Sequence, residues 1–369
     1  MRVILSGGGS GGHIYPALAI YNELKSRHPE MQFLYIGTAN SLEADIVPRE
    51  GIPFQVITSR GFKRRFSFDT LRTIAVASSG FLQAGRIIRD YAPDLVIGTG
   101  GYVSGPSVLQ AALCRIPTMI HEQNALPSLT NRLLARFVKH IALSFPEARD
   151  FLPGSANITI TGNPTRRSLL QQDHLRAVQE LQLDPDKFTV LFVQGSLGSA
   201  TVNKVICQTL SRILFRGDTQ ILFVTGHSHF AMVQGIVDEQ SLTDATDLHL
   251  HAYLYDVGLG LSVADLIVSR AGGMMAEINL LGIPAIYIPS PFVADNHQEY
   301  NARAVENYGA AAVIREKELN PETLYEQIAA LLDHPESLKS MSSQALSLAK
   351  PGAAAALADI AESLMGLNL

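Results

Sequence analysis

The sequence predicts an α/β chain built from two halves with one plan, and three observations carry that prediction. Short apolar runs of strand character alternate with helix-patterned segments along the whole chain, as parallel βα units do. The first such run in each half leads into a glycine-rich loop. Val3-Ile4-Leu5 runs into Gly7-Gly8-Gly9-Ser10-Gly11-Gly12, and 189–193 runs into Gly195-Ser196-Leu197-Gly198. Further matched pieces then follow in the same order. Asp94-Leu95-Val96-Ile97 answers Asp265-Leu266-Ile267-Val268, with a glycine pair after each, Gly100-Gly101 and Gly272-Gly273. Ile116-Pro117-Thr118-Met119-Ile120 answers Ile283-Pro284-Ala285-Ile286-Tyr287. One such match arises easily among apolar strands; three in order imply two Rossmann-like domains.

The elements follow in sequence. The first helix is expected to carry Pro16 in its first turn, with Ile14, Leu18 and Tyr21 on one face. The second strand, 33–36, ends at Gly37-Thr38, and Glu43 and Asp45 fall in the helix after it. The turn-rich Pro153-Gly154-Ser155 puts the domain boundary just beyond, giving domains at 1–163 and 164–341. A helix through 202–210 follows the second glycine loop, and the alanine-rich 342–367 reads as a terminal helix within 342–369. Ligands of open parallel sheets sit at the carboxyl ends of the strands. Two such domains facing each other would form a cleft with a set of loops on each wall.

Composition agrees with two globular domains. The chain has 369 residues, 47% hydrophobic and 17% charged. A net charge of -5 argues against a nucleic-acid binder. Cys114 and Cys207 are the only cysteines, so a disulfide framework is not expected and a reducing compartment is. The start of the chain has no signal-peptide pattern, and the uncharged stretch 73–85 is too short to span a bilayer. These features place the protein in solution or on a membrane surface.

Gly7, Gly9 and Gly12 formally match the dinucleotide signature G-x-G-x-x-G. The NAD reading also needs an acid at the end of the second strand, and Gly37-Thr38 has none. The Walker A pattern is absent as well. Five glycines in six positions are more than a tight turn needs, so the loop is read as one that approaches a ligand closely. His13 stands at the mouth of the first helix, where the dipole disfavours imidazolium, which suits a neutral proton acceptor. His121-Glu122-Gln123-Asn124, four polar residues after an apolar strand, are expected outside the core and at a site. In the second half, Ser196 and the amides near Gly195 and Gly198 suit a diphosphate. Glu277 suits ribose hydroxyls or the helix dipole, and Asp295-Asn296-His297-Gln298 suits sugar hydroxyls. Asp184-Pro185-Asp186 precedes a strand and reads as a turn, so no metal site is inferred.

Taken together these residues resemble the MurG family, the bacterial UDP-N-acetylglucosamine transferases of cell-wall (peptidoglycan) synthesis, over essentially the whole chain. The blocks that carry the likeness are Gly8-Gly9-Ser10-Gly11-Gly12-His13, 98–106 (GTGGYVSGP) and His121-Glu122-Gln123-Asn124. Gly162-Asn163-Pro164 with Arg166, Gly195-Ser196-Leu197-Gly198 and Arg270-Ala271-Gly272 complete them. The resemblance implies the GT-B fold, with the acceptor on the first domain, UDP-sugar mainly on the second, and the terminal helix packing back on the first. It implies an inverting β-1,4 transfer of N-acetylglucosamine from UDP-N-acetylglucosamine to a polyprenyl-diphosphate-linked muramyl-pentapeptide. No cofactor or obligatory metal is implied.

Carried onto this sequence, the resemblance makes His13 the candidate base, with Glu122 and His121 as alternatives or orienting groups. Ser10, Gly11 and Gly12 border the donor sugar and diphosphate, and Asn124 faces the sugar. Arg166 and Ser196 match diphosphate or nucleotide contacts, Leu254 a backbone contact to uracil, Glu277 the ribose ligand and Gln298 a sugar ligand. Tyr102, Asn203, Gly272 and Gly273 complete the expected substrate-binding set. The sequence departs from the family at Gln194, where glycine is usual, at Ser10, where threonine is common, and in the shorter Gly273-Met274-Met275-Ala276. A lipid-linked acceptor also gives meaning to the basic, aromatic stretch Arg60, Phe62, Lys63, Arg64, Arg65, Phe66, Phe68 and Arg72, followed by Leu71, Ile74, Phe81 and Leu82. It suits reversible association with an anionic membrane surface, expected on the cytoplasmic face. The rival readings are another GT-B transferase and a UDP-N-acetylglucosamine epimerase.

Overall fold

The computed structural model describes residues 1–59, 68–195 and 198–367. It divides into two compact units, Met1–Thr165 with Lys350–Leu369, and Arg166–Ala349.

Among the described residues the first unit holds seven strands: β1 (Arg2–Gly7), β2 (Gln32–Gly37), β3 (Phe54–Val56), β4 (Leu95–Gly100), β5 (Thr118–Glu122), β6 (His140–Leu143) and β7 (Ile158–Ile160). All pair in parallel, in the order β3-β2-β1-β4-β5-β6-β7. The α-helices described between them are α1 (Gly11–Arg27), α2 (Leu42–Arg49), α3 (Phe68–Tyr91), α4 (Ser104–Leu113) and α5 (Leu129–Leu134). The central strands are buried on both faces, which is why they read as unbroken apolar runs rather than as alternation. One face packs Val3, Leu5 and Ile97 under α1, and the other packs Ile4, Val96 and Ile120 under α4.

The second unit holds β8 (Phe188–Val193), β9 (Thr219–Val224), β10 (Leu248–His251), β11 (Leu266–Ser269), β12 (Ala285–Tyr287) and β13 (Ala311–Val313). Their order is β10-β9-β8-β11-β12-β13, again parallel throughout. Its helices are α6 (His174–Glu180), α7 (Ala200–Leu214), α8 (Phe230–Glu239), α9 (Val257–Ser262), α10 (Met275–Leu281), α11 (His297–Asn307), α12 (Pro321–Leu332) and α13 (Pro335–Leu348). The last helix, α14 (Ala353–Leu364), returns to the first unit and packs Leu357, Ala358 and Ala361 into its core beside α1.

The matched sequence pieces prove to be matched structure. Asp94 Oδ2 accepts the Arg2 N–H at 2.7 Å, and Asp265 Oδ2 accepts the Thr189 N–H at 2.8 Å. In each unit the same acid therefore pins the start of the first strand to the start of its neighbour. Two expectations change. Helix α1 begins at Gly11, so Pro16 lies in its second turn rather than its first. Proline cannot donate to the Gly12 carbonyl, and glycine at that position limits the clash with the ring. The tail is two helices rather than one, because Lys350 precedes Pro351 and Gly352 follows it, a sequence that cannot continue α13.

Candidate functional site

In the first unit the carboxyl ends of the adjacent strands β1, β4 and β5 bring the expected loops together. Gly8 N–H donates to Gly100 O at 3.3 Å, and Thr99 Oγ1 donates to His13 O at 2.7 Å. Gly101, with φ +79°, packs against the Gly8 carbonyl so closely that any Cβ there would collide with it. The loops are thus stitched backbone to backbone, and only glycine allows it.

His13 sits on the first turn of α1, half-buried. Its Nδ1 lies 3.0 Å from Gly8 O and 3.3 Å from Ser10 Oγ. A carbonyl can only accept, so Nδ1 carries a proton and the neutral ring presents Nε2 as its acceptor. The imidazole packs against Gly100, where a Cβ would come within 2.6 Å of Cδ2. Ser10 is the N-cap residue but makes no side-chain cap, and no acid occupies the first turn. The N-terminal amides at Gly11 and Gly12 therefore offer positive potential to an anion. Tyr102 is partly exposed and its ring packs beside Gly9.

The polar run after the third central strand is a correction. His121 and Glu122 belong to β5, and His121, Glu122 and Gln123 are buried in the core, at 0%, 1% and 7% exposure. They are tolerated there because they satisfy one another and the backbone. Gln123 Nε2 donates to His121 Nδ1 at 3.0 Å and to Thr99 O at 2.7 Å, while His121 Nε2 donates to Gly162 O at 3.1 Å. Burial drives the His121 pKa down to about 4, partly opposed by the Gly162 hydrogen bond, so the ring is neutral. Four N–H donors fill the Glu122 carboxylate: Asn124 N and Nδ2 at 3.0 and 2.9 Å, Ser128 N at 2.9 Å and Asn131 Nδ2 at 2.9 Å. This geometry organises the loop that carries Asn124 and leaves His13, half-buried, as the less enclosed of the two imidazoles.

In the second unit Arg166 and Glu277 are joined. Nε donates to Oε1 at 3.0 Å and Nη2 to Oε2 at 3.3 Å, with Glu277 in the first turn of α10. Gln298 opens α11, its Oε1 accepting the Ser290 N–H at 2.8 Å while Nε2 lies near Gly272. Gly273 is exposed beside them. Arg270 reaches from β11 to Ser199 Oγ and Ile288 O, both at 2.9 Å, which ties the N-cap of α7 to the end of β12. The Leu254 side chain packs inward against Gly260, between exposed Tyr253 and Tyr255. Asn203 is fully buried, its Nδ2 donating to Thr225 O at 2.9 Å. Ser196 lies outside the described residues, as do Arg60, Phe62, Lys63, Arg64, Arg65, Phe66 and the side chains of Phe68, Leu71, Arg72 and Ile74.

The glycosyltransferase family 28 N-terminal domain matches residues 3–143, and the family 28 C-terminal domain matches 189–364. A protein of Acetivibrio thermocellus is 40% identical over 366 residues, covering 99% of this chain and 98% of its own. Its name is UDP-N-acetylglucosamine--N-acetylmuramyl-(pentapeptide) pyrophosphoryl-undecaprenol N-acetylglucosamine transferase. A protein of the same name from Bacillus subtilis is 42% identical over 365 residues, covering 99% of both chains. This chain belongs to glycosyltransferase family 28. Among solved structures, Acinetobacter baumannii MurG matches with a TM-score of 0.78 and 26% identity, covering 98% of this chain and 99% of that one. The fold is the GT-B class of this family.

Within the family frame, the unusual Gln194 is accommodated by tucking its side chain under β11, where Nε2 donates to Val268 O at 3.1 Å. Two features escaped the reading of the sequence. His227 stacks on Tyr253 with centroids 5.0 Å apart, and Tyr255 meets Tyr253 edge-on at 5.3 Å, an aromatic group assembled from two strand ends. Glu43, on α2, folds back to the end of β2, where its Oε1 accepts from Thr38 Oγ1 at 2.8 Å. A carboxylate does reach the end of the second strand, but it holds the protein's own backbone. No local pattern revealed either: Glu43 meets Thr38 five residues back and Gly9 34 residues back, and His227 meets Tyr253 across 26 residues.

Proposed function

We propose that this family 28 enzyme transfers N-acetylglucosamine from UDP-N-acetylglucosamine to the 4-hydroxyl of the muramyl residue in undecaprenyl-diphospho-muramyl-pentapeptide. The observation that carries the chemistry is the His13 imidazole, protonated at Nδ1 by its bond to Gly8 O, at the open N-terminus of α1. The acceptor oxygen attacks the anomeric carbon of the donor as the bond to the diphosphate oxygen breaks. The hydroxyl proton passes to His13 Nε2, UDP departs, and the configuration inverts to β. In this reading Ser10, Gly11, Gly12, Tyr102 and Asn124 border the sugars. Arg166 and the amides of Gly195 and Gly198 meet the diphosphate, Glu277 takes the ribose, Gln298 the sugar hydroxyls and the Leu254 backbone the base. The charge is met by protein groups with no obligatory metal, so turnover should survive excess chelator.

An epimerase would convert UDP-N-acetylglucosamine without acceptor, whereas this reading expects UDP release only when a lipid-linked muramyl-peptide analogue is added. Acceptor-independent conversion would remove it. Equal binding of ADP-sugars and UDP-sugars would remove the donor assignment.

The lipid-linked acceptor places the enzyme on the cytoplasmic face of a membrane. Leu82, Leu113, Leu133 and Phe137 are exposed on and beside α3, α4 and α5, with Arg115, Arg136 and Lys139 also exposed. Apolar side chains among cations suit an anionic leaflet. Among the described residues no helix is long and apolar enough to cross a membrane. Cys114 and Cys207 are both free thiols, which suits a reducing compartment.

A further inference from the structure

Glu43 takes no part in the donor or acceptor assignments, yet its carboxylate is fully buried against the glycine loop. Oε2 accepts the Gly9 N–H at 3.1 Å, and Oε1 accepts Thr38 Oγ1 at 2.8 Å and Thr38 N–H at 3.3 Å. The Gly9 N–H belongs to the same peptide unit as the Gly8 carbonyl, and that carbonyl accepts the His13 Nδ1–H at 3.0 Å. One planar peptide therefore bridges a carboxylate on one side and an imidazole on the other. The contact is tight enough that a Cβ on Gly8 would collide with the Glu43 carboxylate, while Gly9 turns with φ +82°. The two glycines are thus explained by the approach of this acid as well as by the approach of a ligand.

We propose that Glu43 is a positioning residue for His13, acting through the Gly8–Gly9 peptide as a carboxylate acts directly on the histidine of a hydrolase triad. The inference rests on the reading of His13 as the base. The carboxylate fixes the peptide plane, and its charge polarises that peptide so that Gly8 O becomes a stronger acceptor. A stronger acceptor at Nδ1–H fixes the tautomer, makes Nε2 more basic and stabilises the imidazolium formed as the acceptor proton arrives. Burial pushes the Glu43 carboxyl upward, but the bonds from Gly9, Thr38 and Ser41 outweigh it and hold the group below its ordinary range. It is therefore anionic at neutral pH. Among the described residues, the titratable groups packed on this loop include Tyr35, whose OH donates to Gly7 O at 2.8 Å, Tyr15 beside Gly11, Tyr102 beside Gly9, and His121 on β5, kept neutral by burial.

The test is the pH profile of turnover at saturating UDP-N-acetylglucosamine with a soluble acceptor analogue, for the wild type, Glu43→Gln and Glu43→Asp. Glu43→Gln keeps the shape and removes the charge. It should move the acid limb to lower pH and reduce the plateau about 10-fold, with UDP affinity changed less than about twofold. Glu43→Asp, which keeps the charge, should return the acid limb toward the wild-type position. A Glu43→Gln enzyme that melts cooperatively and keeps the wild-type limb and plateau overturns the proposal. The wild type gives a second reading that needs no variant. Nitrogen-15 shifts of His13 should report the Nδ1–H tautomer, and an Nε2–H tautomer overturns the proposal. His13→Ala separates the two claims. Normal turnover there removes the base itself, whereas an inactive His13→Ala beside an unaltered Glu43→Gln removes only the role of Glu43.

Discussion

Arg166 and Glu277, 111 residues apart in sequence, form a two-pronged ion pair, with Nε on Oε1 at 3.0 Å and Nη2 on Oε2 at 3.3 Å. The resemblance assigns one to the diphosphate and the other to the ribose. The arginine side chain is 44% exposed, so the pair contributes little to folding. On the proposed assignment, UDP binding would turn the guanidinium to the diphosphate while the carboxylate accepts from the ribose.

That exchange predicts coupling. Glu277→Ala should weaken UDP binding by about 1–3 kcal/mol. Arg166→Ala should weaken it by a similar amount. The double variant should depart from the sum by at least about 0.5 kcal/mol, because each change alters what the other residue is paired with before binding. Titration calorimetry on the four proteins measures this; strict additivity would assign the two residues to independent contacts.

His13→Ala should lower turnover about 10²–10⁴-fold. UDP affinity should stay close to the wild-type value, since most donor contacts are proposed for the second unit. Near-normal turnover with unaltered folding would take the base away from His13.

Gly100→Ala tests the seat of the same ring. The added Cβ would come within 2.6 Å of His13 Cδ2, at a φ of +106° that alanine resists. The imidazole must move, and a displacement of about an ångström can cost about 10²-fold in rate. Turnover should fall while UDP binding persists, and an active Gly100→Ala enzyme would mean that the ring position is not critical.

His121 makes the stability of the first unit sensitive to acid. Burial lowers its pKa from 6.5 to about 4, so between those values the unfolded chain binds more protons than the folded one. The contribution is fully present above about pH 6.5 and is lost as pH falls toward 4, by up to about 3 kcal/mol. Burial lowers His140, His249 and His251 in the same direction. Denaturant unfolding from pH 7.5 to 4.5 should show the decline, and His121→Gln should flatten it. An equally steep profile in that variant would place the proton uptake elsewhere.

Membrane association should require anionic lipid and weaken as salt rises. Flotation with liposomes should lose the protein when Lys63, Arg64 and Arg65 become serine, or when Leu133 and Phe137 do. Binding indifferent to lipid charge and to both sets of changes would put the membrane face elsewhere.

The sequence by itself determined the plan of two parallel α/β halves, because apolar runs, glycine loops and helix periodicity are local properties that packing does not reverse. Even the paired acids Asp94 and Asp265 were legible as matched positions, and their equivalent bonds to Arg2 and Thr189 bear the repeat out. The blocks that carry the family likeness were equally local. What only the tertiary structure decided was the task of each polar side chain. His121, Glu122 and Gln123 read as site residues outside the core because a polar run after a strand usually leaves it. They stay inside because Gly162, Thr99, Ser128 and Asn131 supply their hydrogen bonds. Glu43 looked like an ordinary helix residue until α2 folded its carboxylate onto Gly9. Arg166 and Glu277 could not be seen as a pair at all. Burial and partnership depend on which residues the fold brings together, from a few positions to more than a hundred away, and local patterning does not encode that choice.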